Sequence, residues 1–174
     1  MKKVVSFLAA LTLFITLSGC SSNNDSNENN NGTASASASV SESENNVPQK
    51  TAAELADIVL NSVEFPQTVK VTDTEQIEAI GVDLSLTEEI AVVQQMLSVD
   101  VVEIVIAKVK DGKAGDVVAS LQKRKESLIH DFAFYPGQVE SAEATVVGNK
   151  GDIAYLICHK DADTAEKKLL EELG

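Results

Sequence analysis

Val101-Val102-Glu103-Ile104-Val105-Ile106-Ala107-Lys108-Val109 and Ile153-Ala154-Tyr155-Leu156-Ile157-Cys158 are the stretches on which the fold turns. Both are rich in residues that favour extended backbone. Successive strand side chains point to opposite faces, and Val101–Ile106 and Ile153–Cys158 are apolar on both parities. Such strands sit at the centre of a sheet with both faces covered. Working outward, Ile90–Leu97 precedes the first stretch across Ser98-Val99-Asp100, which predicts an antiparallel strand pair, although Ile90–Leu97 alone also fits a helix. Ala142–Val147 reads as a strand, Gly148-Asn149-Lys150-Gly151 as a tight turn, and Ile153–Cys158 as the hairpin partner. After Asp111-Gly112, the residues Ala114, Val117, Leu121, Leu128 and Phe132 mark one face of a long helix, closed by Pro136-Gly137. Asp161 or Asp163 caps a last helix carrying Ala165, Leu169, Leu170 and Leu173.

Towards the N-terminus, Thr51 followed by Glu54 is a capping-box pattern, and Leu55, Ile58, Val59 and Val63 recur at helical spacing, which predicts a helix over 51–62. Phe65-Pro66 ends it, Val69–Val71 is a short extended piece, and Asp73 or Thr74 caps a helical turn that runs through Ile80 to Gly81. The order predicts an α+β fold: an N-terminal helix followed by two strand-strand-helix units, with an antiparallel sheet of about four strands. The two late helices are expected on one face and the N-terminal helix on the other.

The chain divides into three parts. Residues 1–19 read as a lipoprotein signal peptide, with Lys2 and Lys3 ahead of the apolar run Val4–Leu17. That run is about 21 Å long at ~1.5 Å per helical residue, too short for a hydrocarbon core of about 30 Å. Its ending, Leu17-Ser18-Gly19-Cys20, resembles the lipobox of bacterial lipoproteins, which implies a diacylglyceryl group on the Cys20 sulfur and cleavage before it. Two acyl chains hold a protein stably on a bilayer, where one gives only marginal binding. The expected location is therefore the extracytoplasmic face of the cell membrane. Residues 20–46 read as the lipidated Cys and a disordered Ser/Asn-rich tether, because this composition cannot bury enough surface to offset its ordering entropy. Its root-mean-square span is on the order of 25–30 Å. Residues 47–174 are expected to form a single globular α+β domain.

The 174 residues carry 14 Lys+Arg against 27 Asp+Glu, a net charge of −13. Loss of Lys2 and Lys3 with the signal deepens the deficit. Phosphate backbones are bound through clustered cations, and Lys123-Arg124-Lys125, which reads as a solvated helix face, is the sole basic run, so nucleic acid is excluded as a partner. Aromatics are 4% with no Trp, which weakens any stacking platform.

The stretch Lys108–Lys113, then Lys123-Arg124, Tyr135-Pro136-Gly137-Gln138, Asn149-Lys150-Gly151 before an apolar strand, and Asp161-Ala162-Asp163 resembles an uncharacterised lipoprotein family of low-GC Gram-positive bacteria, catalogued as domain of unknown function 4358. The resemblance covers roughly residues 51–172. It implies an extracytoplasmic, membrane-tethered domain, and it supplies no catalytic residue.

With Cys20 lipidated, Cys158 stands alone and no intrachain disulfide forms. Its neighbour His159 points to the opposite face of a strand, so Cys158 reads as a buried thiol. His130 and His159 offer no zinc-binding spacing, and Asp111–Asp116 lacks the ligand pattern of a calcium loop, so no metal and no cofactor are expected. Phe132, Phe134 and Tyr135 form the densest aromatic cluster. They read either as an interaction surface or, more simply, as an anchor of the helix end against the sheet. Two functions follow. The first is a non-catalytic binding module for a protein, wall component or small ligand at the cell surface. The alternative is an extracytoplasmic hydrolase using scattered carboxylates and His130. Cys20→Ala is expected to abolish lipid labelling and to release or misprocess the protein, read by metabolic labelling with a fatty acid and membrane fractionation; retained lipid would refute the anchor.

Overall fold

Thr51 and Glu54 close the capping box that their spacing predicts. Thr51 Oγ1 accepts from the Glu54 amide at 3.2 Å, and Glu54 Oε2 accepts from the Thr51 amide at 2.8 Å. Helix α1, Ala52–Leu60, starts there and buries Leu55, Ala56 and Val59. The Ala52 amide donates to Glu89 Oε2 at 3.0 Å, so a strand side chain completes the cap. The computed structural model describes residues 49–174; the signal peptide read at 1–19 and the tether read at 20–46, Cys20 included, lie outside the described residues.

After α1 come β1 (Thr68–Val71), α2 (Thr74–Glu78), a 3₁₀ turn (Leu84–Leu86), β2 (Thr87–Gln95) and β3 (Glu103–Val109). Asp73 caps α2 by accepting from the Gln76 amide at 3.0 Å, and Gly81 follows with φ 91°, a left-handed conformation that suits glycine. The second half holds α3 (Ala114–Ser127), a π-helical turn (Leu128–Phe132), α4 (Pro136–Glu143), β4 (Val146–Lys150), β5 (Ile153–Cys158) and α5 (Ala162–Glu172). The fold is α+β, as expected. All strand pairs are antiparallel, in the order β1-β2-β3-β5-β4. β3 and β5 occupy the middle, with Ile104 opposite Ile157 and Ile106 opposite Tyr155.

The two parities of these strands build two cores. Ile104, Ile106, Ile153, Tyr155 and Ile157 pack against Leu55 and Val59 of α1 and Ala165 and Leu169 of α5. Val105, Ala107, Leu156 and Cys158 pack against Val117 and Leu121 of α3, Ile77 and Ile80 around α2, and Ala142 of α4. Each fully buried Val, Leu or Ile contributes about 1.5–3 kcal/mol.

Four details differ from the expectation. The sheet has five strands, because the extended piece at Thr68–Val71 pairs with β2. α5 covers the same face as α1 and not that of α3, because the turn after Cys158 lays His159 against Phe65 just beyond α1, with ring centroids 4.5 Å apart. Ala142 and Glu143 are helical: Pro136 restarts a helix, and the strand begins only at Val146. Gly148, Asn149 and Lys150 belong to β4, and the turn narrows to Gly151-Asp152, where Gly151 has φ 59°.

Gly148 is a packing residue. It lies opposite Tyr155, and a Cβ there would stand 2.6 Å from the Tyr155 hydroxyl. That hydroxyl donates to Glu166 Oε1 of α5 at 2.7 Å, so the ring is held across the glycine. Burial and the hydrogen bond raise the Tyr155 pKa and keep it a donor. No helix among the described residues is long and apolar enough to cross a membrane. Gly148→Ala is expected to destabilise the fold by about 1–3 kcal/mol through overpacking, read as a lower urea midpoint. An unchanged midpoint would show that the ring yields freely.

Candidate functional site

One end of the sheet gathers the loop after α1, the β2–β3 loop, the start of α4 and the β5–α5 turn. The construction begins at Glu103, the first residue of β3, which is buried on the α3 face at 1% exposure. Arg124 of α3 donates from Nε to Glu103 Oε1 at 2.8 Å and from Nη2 to Oε2 at 2.7 Å, and Gln94 Nε2 donates to Oε2 at 2.7 Å. Burial opposes the Arg124 charge, but the hydrogen bonds and charge of Glu103 outweigh it and raise the guanidinium pKa. The sequence expectation of a solvated Lys123-Arg124-Lys125 face fails here, because Arg124 is half-buried against Glu103 and Lys125 Nζ donates to the Thr145 carbonyl; Lys123 alone of the three is exposed.

The Arg124 guanidinium lies 4.9 Å from the centroid of the Phe132 ring, a cation–π contact. α3 ends there in the π turn, and the chain breaks from helical geometry at Ala133. Phe134 and Tyr135 then project outward, 74% and 68% exposed. The aromatic cluster does not serve as the anchor that the simpler reading proposed: Phe132 alone packs partly inward, and the other two form a ridge. Val99, Leu97 and Met96 of the β2–β3 loop add exposed apolar surface at the same end of the sheet.

Gln138 locks this ridge in place. Buried at 4% exposure at the third position of α4, its Oε1 accepts from the amides of Phe134 (3.0 Å) and Tyr135 (3.2 Å). Its Nε2 donates to the carbonyls of Ser98 (3.0 Å) and Val99 (3.2 Å). One side chain thereby ties the ridge to the β2–β3 loop. Sequence reasoning assigned Gln138 no role, although Pro at the first helical position and Gln at the third is the signal of a capped helix start.

Beside the ridge lies a cleft of about 490 Å³, walled by Phe65, Tyr135, Gln138 and His159. Glu64, Asp100, Glu140 and Asp161 line it as well, against the single cation Lys160. A smaller groove of about 210 Å³ runs between the β2–β3 loop and Phe132, Phe134 and Tyr135, sharing Asp100, Tyr135 and Gln138 with the cleft. His159 is buried, and its Nδ1 accepts from the Asp161 amide at 3.1 Å. Burial lowers its pKa, opposed by Asp161 and by a hydrogen bond to the Glu64 backbone, so the ring is neutral near pH 7. The 3.8 Å approach of Asp161 Oδ2 to Nδ1 is therefore not an ion pair there.

Cys158 lies on the other face of β5. Its thiol donates to the Val101 carbonyl at 3.4 Å, and burial pushes its pKa up to about 11. A buried protonated thiol turned away from His159 is no nucleophile. His130 is exposed on the π turn and does not line the cleft, while its neighbour Asp131 accepts from Ser127 Oγ at 2.8 Å. The structure brings together Phe132, Phe134 and Tyr135; it does not bring His130 to the carboxylates of the cleft. No group of three metal-ligating side chains occurs among the described residues.

The family model described as a domain of unknown function, DUF4358, matches residues 61–159, more than half of the chain. The chain belongs to this family. The DUF4358 segment runs from the residue that closes α1 to His159, so it includes the whole sheet, the aromatic ridge and Gln138, and leaves Lys160 and Asp161 just outside. No curated protein and no solved structure matches the chain. For this DUF4358 member, Gln138→Ala is expected to speed amide hydrogen exchange at Phe134 and Tyr135 and to lower stability by about 1–3 kcal/mol, since partnered backbone groups lose their side-chain partner. Unchanged exchange at those amides would show that the ridge is ordered by other contacts.

Proposed function

We propose that this chain is a membrane-anchored extracytoplasmic lipoprotein whose folded part is a non-catalytic binding module, docking a protein partner through Phe132, Phe134, Tyr135 and the cleft beside them. The observation that carries the reading is a rigidly held but exposed ridge. Gln138 Oε1 fixes the backbone of Phe134 and Tyr135 and its Nε2 ties them to the Ser98 and Val99 carbonyls, yet both aromatic side chains are left in solvent. Contiguous exposed apolar surface of this kind marks interaction sites, and aromatic anchors dominate interface energetics. A rigid ridge also loses little entropy on binding. The Leu17-Ser18-Gly19-Cys20 pattern supports the lipid anchor, and the Ser/Asn-rich stretch supports a tether.

The test is a photo-reactive phenylalanine analogue placed at position 134 of the full-length protein in its native cells, with the same analogue at exposed Glu75 of α2 as the reference site. The expected result is a discrete cross-linked species from position 134 that position 75 does not give. Equal labelling from the two sites, or none from position 134, would overturn the docking assignment.

A further inference from the structure

We infer that the partner presents a basic, apolar-bearing polypeptide segment, whose Lys or Arg side chains enter the cleft while its apolar side chains lie along Phe134 and Tyr135. This inference rests on the proposed docking role of the ridge and adds the chemistry of what docks. Two features of the surface select it. The first is charge. Glu64, Asp100 and Glu140 line the cleft, and none of them is paired with a lysine or arginine among the described residues. Asp161, the fourth acid, approaches only the neutral His159. Two half-buried acids elsewhere have cationic partners: Asp57 with Lys70 at 2.7 Å, and Glu172 with Lys50 at 3.2 Å and with Lys168 at 3.3 Å. Carboxylates converging on a concave, partly apolar site focus their field there and attract a cation into it. Lys160 supplies one positive charge against four negative, so the cleft favours cations over anions.

The second feature is shape. The acidic cleft continues into the groove along the ridge, through the shared wall of Asp100, Tyr135 and Gln138. A small amine would fill one end and leave the aromatic surface wet. An extended segment at about 3.3 Å per residue reaches both, and its alternate side chains separate the charged from the apolar contacts. Tyr135 stands at the junction, where its ring face can receive a cation.

The test measures binding of three probes to the purified full-length protein by fluorescence anisotropy: a labelled peptide of alternating Lys and Leu, its Glu/Leu counterpart, and spermine as an unlabelled competitor. Because the protein is a polyanion, location is read from charge-matched variants. Asp100→Asn combined with Glu140→Gln removes two cleft charges, while Glu75→Gln combined with Glu78→Gln removes two exposed charges from α2. The Lys/Leu peptide is expected to bind, the Glu/Leu peptide not, and the cleft variant to weaken binding by about tenfold where the α2 variant changes it less than about twofold. Equal weakening by the two variants, or equal binding of both peptides, would overturn the inference, and full displacement by spermine at concentrations matching the peptide would assign the cleft to small amines instead. Cross-linking from position 134 in cells separates the two failures. If it persists while the peptide result fails, the docking role stands and only the basic character of the partner is wrong.

Discussion

The ion pair between Glu103 and Arg124 is the constraint from which the working end of the molecule is built. A carboxylate and a guanidinium withdrawn from water lose solvation worth several kcal/mol each, and the loss is offset only when geometry is good and the remaining hydrogen-bonding capacity is filled. Here both carboxylate oxygens meet a guanidinium nitrogen and Gln94 supplies a third donor. Any slip of α3 along the sheet would break the bidentate contact and leave a buried charge alone. The pair therefore fixes where α3 sits on the sheet, and it holds the Arg124 guanidinium against Phe132, the first ring of the aromatic cluster. Gln138 repeats the logic with neutral groups, converting one buried amide into a junction of the α4 start and the β2–β3 loop.

Most of the fold was legible in the sequence because it depends on local signals. The capping box at Thr51 and Glu54 operates within four residues and is found as read. The apolar parity of Val101–Ile106 and Ile153–Cys158 requires two covered faces, and both strands are central. What was not legible depends on long-range contacts. Gly148 reads as a turn residue until the Tyr155 ring is seen lying over it, a contact made across a strand pair. The face chosen by α5 depends on His159 meeting Phe65, more than ninety residues away, which no periodicity encodes.

The site was legible in composition and not in arrangement. Phe132, Phe134 and Tyr135 stand out in a chain with few aromatics, but sequence cannot tell an inward ring from an outward one. The deciding residues are polar. Gln138 turns the backbone so that Phe134 and Tyr135 face solvent, and Arg124 keeps Phe132 closer in. Arg124 also misled the reading of the Lys123–Lys125 run, since a basic triplet on a helix is ordinarily solvated and only the distant Glu103 makes this one otherwise. A run of charges reads as surface by default, and the exception is created by its partner.

The charges around the cleft bear on the same question from the opposite side. A folding domain gains by pairing exposed acids where cations are near, and α5 does so with Lys168 bridging Glu171 and Glu172. Glu64, Asp100, Glu140 and Asp161 are brought to one cleft from four separate segments, so their proximity is produced by the fold and not by local composition. Their mutual repulsion works against that convergence, and so does the exposure of Phe134 and Tyr135 beside them. Neither feature stabilises the isolated domain. Unpaired charge and exposed aromatic area kept together, on a backbone held by buried hydrogen bonds, are what the proposed docking role requires of this surface.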